Sequence, residues 1–141
     1  MDIQEALRIG YIQALLGNVT VPVYSEGSVP ENAPDNYLIV SAFTGNQRFT
    51  DTRKVFEVTQ MVDIVTTSKG PTGFGTANNI AALVENIINP DNRQDINITD
   101  NGWQVGNTFT IETRHMSNKD STRYIYRVIK MYRHVISKLN S

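Results

Sequence analysis

The longest stretch of alternating hydrophobic and polar positions runs from Val55 to Thr67, and the rest of the chain is arranged around it. No glycine or proline interrupts it; Phe56, Val58, Val62 and Ile64 fall on one parity and Glu57, Thr59 and Asp63 on the other. A period of two in β-branched residues predicts a strand with one face on a core and one in water. Lys69 to Gly75, which holds Gly70, Pro71 and Gly73, ends that strand. Ala77, Ile80, Ala81, Val84, Ile87 and Ile88 then recur at helical spacing up to Asn89-Pro90. A strand feeding a helix that lies back on its own sheet is the beginning of an α+β layer.

The flanking segments extend this pattern. Asp2 with Glu5 three residues on reads as a capping box, and Ile3, Leu7, Tyr11, Ala14 and Leu15 mark one face of a first helix ending at Gly17-Asn18. Val19 to Tyr24 is β-prone, and Ser25 to Asn36, with Gly27, Pro30 and Pro34, reads as an exposed loop. Tyr37 to Phe43 is a strand that the Gly45 to Arg53 segment joins to the long strand as an antiparallel hairpin. Ile96 to Thr99 reads as a short strand, Asp100-Asn101-Gly102 as a hairpin turn, and Trp103 to Met116 as the returning strand, alternating through Val105, Phe109 and Ile111. After a turn at Ser117 to Asp120, Tyr124, Tyr126, Val128, Tyr132 and Ile136 share one parity. They predict a final strand to about His134, with a short helical tail beyond it. The fold class expected is α+β, a mostly antiparallel four- to five-stranded sheet with two helices packed on one face. At 141 residues this makes one domain spanning 1–141.

Strand length bears on function. At ~3.3 Å per residue the central strand spans roughly 43 Å and the last one roughly 46 Å. A compact chain of this size is on the order of 37 Å across. Straight strands must therefore protrude as hairpins. Phe49, with Arg48, Arg53 and Lys54 beside it, occupies one tip, and the outward parity of the final strand is Arg123, Ile125, Arg127, Ile129, Met131 and Arg133. A mixed apolar and cationic stripe of this kind marks a subunit interface.

Charge sharpens the picture. The net charge of −1 is the sum of −7 over residues 1–113 and +6 over residues 114–141, so the chain is electrically two-ended. There is no cysteine, hence no disulfide, thiolate nucleophile or thiolate metal site. The first helix has the wrong charge order for a secretory signal and is too short to span a bilayer, so a soluble, cytoplasmic product at synthesis is expected.

No residue pattern points to catalysis, a cofactor or a metal. The Gly70 to Gly75 turn precedes a helix but lacks the Gly-Lys-Ser/Thr ending of a phosphate loop. His115 and His134 have no ligand partner at metal spacing, Glu57 and Asp63 lie on the polar parity, and no serine sits in a nucleophile elbow. Tyr124, Tyr126 and Tyr132 among the C-terminal cations suggest a nucleic-acid platform. On a strand, however, they face away from Arg123, Arg127 and Arg133. A nucleotide- or nucleic-acid-binding protein using the glycine turn or the basic strand is the alternative reading.

The order of elements, with Ala33-Pro34-Asp35-Asn36-Tyr37-Leu38-Ile39-Val40, Val58-Thr59-Gln60-Met61-Val62-Asp63-Ile64-Val65 and Ile80-Ala81-Ala82-Leu83-Val84, resembles the tail-completion or tail-terminator family of tailed bacteriophages. The likeness covers nearly the whole chain as a pattern of elements. It implies a non-enzymatic virion protein, assembled in the host cytoplasm. Such a protein forms a homo-oligomeric ring, commonly sixfold or higher, at the head-to-tail junction or the head-proximal end of the tail. Its implied partners are other neck or tail proteins and the DNA that passes through the channel, with no membrane and no cofactor. The Ser25 to Asn36 loop and the basic ending depart from the family pattern.

Overall fold

Asp2 starts the first helix. Its carboxylate accepts the backbone N–H groups of Gln4 and Glu5 at 3.1 and 3.2 Å, satisfying donors that α1 (Ile3–Leu15) cannot pair internally. Only this half of the expected capping box forms, because the Glu5 side chain turns to Arg8 at 3.3 Å. The computed structural model describes residues 1–42, 55–91 and 96–139 and the backbone of residues 48–49.

Downstream of α1 come β1 (Val23–Ser25), β2 (Asn36–Ala42), β3 (Arg48–Phe49), β4 (Val55–Ser68), α2 (Gly75–Ile88), β5 (Trp103–Lys119) and β6 (Tyr124–Lys138). The strands lie in the order β1-β2-β4-β6-β5, with β3 also paired to β4. β1 runs parallel to β2, and every other described pairing is antiparallel. This is the expected α+β fold with a mostly antiparallel sheet. Both helices cover one face of it. Leu7, Tyr11 and Leu15 of α1 and Val84 and Ile88 of α2 close over Leu38, Val40, Val58, Val62, Ile64, Val128, Tyr132 and Ile136.

Several expectations are corrected. Ile96 to Thr99 is not a strand. Ile96 and Ile98 are buried in extended chain against α1, and Thr99–Asn101 is a single 3-10 turn closed by Gly102 at φ 89. Gly10 makes this possible, since a Cβ there would meet Ile98 Cγ2 at 2.6 Å. Alternating apolar residues thus buried themselves under a helix instead of joining a ladder, and Asp100-Asn101-Gly102 joins no hairpin. The final segment has no helical tail over its described residues, for β6 remains strand to Lys138 and pairs with Trp103 and Val55 at that end. The β-prone Val19 to Tyr24 piece contributes only Val23 and Tyr24 to β1.

The polar parity of β4 is not a solvated face. Thr59 is 3% exposed and Asp63 6%, because β4 lies mid-sheet with neighbours on both sides. Irregularities in β5 between Val105 and Asn107 and between Thr110 and Glu112 shift its register. The first turns Phe109 away from the face that buries Val105, and Phe109 and Ile111 are each 43% exposed.

Candidate assembly surface

In the β5–β6 hairpin, β6 is paired with β4 along its whole length, whereas β5 is anchored near the root and bare beyond it. Two polar clusters under the helices form the anchor. His134, fully buried, contacts the Tyr11 hydroxyl through Nε2 and the Thr108 hydroxyl through Nδ1 at 2.9 Å, so α1, β5 and β6 meet on one imidazole. Desolvation lowers its pKa from the usual 6.5 to about 3, which keeps it neutral. Burial, with the nearby Tyr132 and Glu85, raises the pKa of Tyr11 and keeps its hydroxyl protonated. The neutral tautomer carrying its proton on Nδ1 satisfies both contacts.

The second cluster centres on Glu85, the one charged residue of α2. Its carboxylate accepts Thr110 Oγ1 at 2.6 Å and Tyr132 OH at 3.2 Å and pairs with Lys130 Nζ at 2.9 Å. Burial pushes its pKa up, but these hydrogen bonds and the Lys130 charge outweigh that and leave it below the usual carboxylate value. Sequence reasoning missed both clusters. The one available signal was a lone acid in an otherwise uncharged helix, opposite a lysine on the tyrosine parity of β6. The two histidines differ: His134 is core, whereas His115 is exposed and bonds Asn78 at 2.9 Å.

Beyond the anchor, every β5 residue from Phe109 to Lys119 is exposed, including Ile111 and Met116 at 43% and 44%. A strand with only one face on a core would alternate. Exposure at consecutive positions means that both faces and the outer edge of this strand are largely open, the contacts from the helix side being those of Glu85 and Asn89 with Thr110 and of Asn78 and Phe74 with His115. The face of the sheet away from the helices continues the same surface. There Met61, Ile129 and Met131 line a groove of about 200 Å³, with Glu112 and Arg114 at its rim.

The residues singled out from sequence fall unevenly on this surface. Ile125, Arg127, Ile129, Met131 and Arg133 do share the helix-free face, on the parity opposite Tyr126, Val128 and Tyr132. The arginines are engaged within the chain. Arg127 clamps the buried Asp63 through Nε, at 3.2 and 3.1 Å, and through Nη2. Arg123 pairs with Asp35 at 3.3 Å, and the Arg133 guanidinium lies 5.2 Å from the Phe109 ring centre. Arg48 and Phe49 are paired by their backbone with Glu57 and Phe56 in β3. Arg53 and Lys54, and with them most of the predicted Thr44 to Lys54 tip, lie outside the described residues.

The other candidates give less. In the glycine turn, Gly73 takes φ 74 and the Ser68 hydroxyl donates to the Gly70 carbonyl at 2.7 Å, so the turn is closed partly on itself. Among the described residues no group of three metal-ligating side chains comes together. None of the described helices is long and apolar enough to cross a membrane.

No protein-family model matches the chain, and no curated protein matches it. Solved structures do. A chain of the virion of a native gene transfer agent particle superposes with a TM-score of 0.65 at 14% identity, covering 96% of this chain and 97% of that one. A second solved structure superposes with a TM-score of 0.50 at 13% identity, over 93% of this chain and 94% of its own. At these identities the likeness is one of fold, and it extends over essentially the whole length of all three chains.

Proposed function

We propose that this chain is a structural protein of a phage-like particle, a non-enzymatic subunit of a homo-oligomeric ring at the head-to-tail junction or the head-proximal end of a tail. One observation carries the reading: β5, the edge strand of the sheet, leaves its outer edge and consecutive residues of both parities exposed over 109–119. A long exposed edge strand invites association. Such an edge is explained by a neighbour that covers it. The full-length likeness to a chain of a gene transfer agent virion supports the setting. The elements shared with tail-terminator proteins support the ring, commonly sixfold or higher, with other neck or tail proteins above and below and DNA passing through. The domain unit is the whole of 1–141, and the place of action is the virion after assembly in the host.

Electron microscopy and light scattering on the purified protein over a wide concentration range test this. Rings are the expected result, and they should grow or stack when the particle's other neck or tail proteins are added. A protein that stays monomeric at every concentration, and that gains thermal stability with nucleotides, refutes the proposal and favours ligand binding at the Gly70 to Gly75 turn. Bound nucleotide at 100 times its dissociation constant adds about 2.7 kcal/mol, so the shift is easily seen.

A further inference from the structure

α2 has an outer face that a monomer does not need. Its exposed positions include Thr76, Asn79, Ala82, Leu83 and Asn86, and none of them carries a charge. The helix's only charged residue, Glu85, is turned inward onto Thr110, Lys130 and Tyr132. Solvent-facing helix surfaces are ordinarily charged, while charge is depleted at the centre of protein interfaces. Leu83, 47% exposed, stands in the middle of this face.

The opposite side of the molecule offers the matching surface. On the helix-free face two of the charges beside the groove are paired within the chain, Arg127 with Asp63 and Arg114 with Glu112 at 2.8 Å, and Arg133 lies against the Phe109 ring. What remains between them is apolar: Met61, Ile129 and Met131 around about 200 Å³ of open groove. We infer that α2 of one copy docks on the helix-free sheet face of the next, with Leu83 seated in the Met61–Ile129–Met131 groove. This inference rests on the self-assembly proposed above and names the two surfaces that meet.

Three features commit the groove to a second copy of this chain. Neither surface presents an uncompensated charge at its centre, so seating Leu83 in the groove desolvates no lone ion there. The two surfaces lie on opposite faces of one sheet, so the contact is heterologous and propagates from copy to copy until it closes. The areas suit a closed assembly. A 14-residue helix is about 21 Å long and projects about 200 Å². The exposed β5 edge beside the groove adds about 350 Å² along the neighbour, at roughly 3.3 Å per residue. The sum of about 550 Å² falls short of the ~800 Å² per partner of a stable isolated pair, so the contact holds where each copy meets two neighbours, as in a ring.

The absence of cysteine makes the test direct. Leu83→Cys and Ile129→Cys are prepared separately, checked for folding by circular dichroism, and oxidised alone and as a mixture. A disulfide-linked dimer in the mixture, at least about tenfold over either variant alone, is the expected result. The double variant should then give a ladder of linked species ending at the ring's copy number. Assembly of the parent with no link in the mixture overturns the inference and leaves the ring reading standing, with the groove assigned to another protein. Links within either single variant alone also overturn it, since they report a two-fold contact. A parent that never associates refutes both readings.

Discussion

His134 makes the stability of this protein depend on pH in a window that few other groups touch. It is fully buried, and its pKa falls from 6.5 to about 3 because burial penalises the charged ring. A base with a depressed folded pKa binds its proton more readily in the unfolded chain. Stability is therefore constant above about pH 6.5 and falls as the pH drops from there towards 3. The slope approaches 1.4 kcal/mol per pH unit, which gives a loss of about 2.5 kcal/mol between neutrality and pH 4.5. The groups facing the imidazole do not cancel this. Tyr11 and Tyr132 are pushed upward and stay protonated. Glu85, whose carboxyl is held below its usual 4.5, loses its contribution only below about pH 4.5, past the lowest pH of the comparison. Urea unfolding followed by circular dichroism at pH 7.5, 6.5, 5.5 and 4.5 measures the loss. Tyr11→Phe with His134→Phe removes the titrating ring together with the hydroxyl that would otherwise be orphaned. It should flatten the profile over this window whatever its effect at neutral pH. A double variant that loses stability in parallel with the parent would falsify the assignment to His134.

Three further outcomes follow from the same contacts. Arg127→Ala strips the clamp from Asp63, which is 6% exposed, and should lower monomer stability by about 2 kcal/mol in urea titrations, whereas Arg123→Ala, at an exposed pair, should cost under about 0.5. Glu85→Ala releases Thr110, Lys130 and Tyr132 together and should cost about 1–2 kcal/mol, with faster amide exchange in β5 than in β2 as its signature. Gln60 is fully buried with neither amide atom paired among the described residues, so Gln60→Met should leave stability unchanged or raise it by about 1 kcal/mol in the same titrations; a loss above 2 would mean that the amide is satisfied after all.

What could be read from the sequence was what repeats along the chain. Both helices, the central strand and the parity of β6 are periodic over ten residues or more, and local pattern specified them. The failures share a physical cause, which is that burial depends on neighbours distant in sequence. Asp63 looked solvated because its alternation matches an edge strand, yet β2 and β6 flank β4 on both sides. Ile96 and Ile98 alternate like a strand, but Gly10 opens a slot for them under α1. Phe109 followed Val105 in parity until the irregularity beside Gly106 reversed it. The candidate surface was half legible. The helix-free stripe of β6 followed from parity, but the pairing of its arginines with Asp63 and Asp35 depends on tertiary placement. The same holds for the groove that Met61 completes.

The placement of polar contacts divides the hairpin into two parts with different work. Thr108, Thr110, Lys130, Tyr132 and His134 lie at one level of the β5–β6 ladder, and each is tied to α1 or α2 through Tyr11 or Glu85. Buried hydrogen bonds of this kind fix geometry more than they add net free energy, because an unmade bond there costs more than a made one contributes. Beyond that level, towards Lys119 and Tyr124, the tie to the helices thins to the Phe74 and Asn78 contacts with His115 and the stacking of Phe74 on Tyr126. β6 is thus held along its whole length by β4, and β5 at the root by groups that cannot rearrange cheaply, while beyond the root β5 keeps its backbone edge and apolar side chains available. A ribbon aimed in this way reaches a neighbour without first spending free energy on choosing a direction, which is the condition under which modest apolar contacts suffice to hold an assembly.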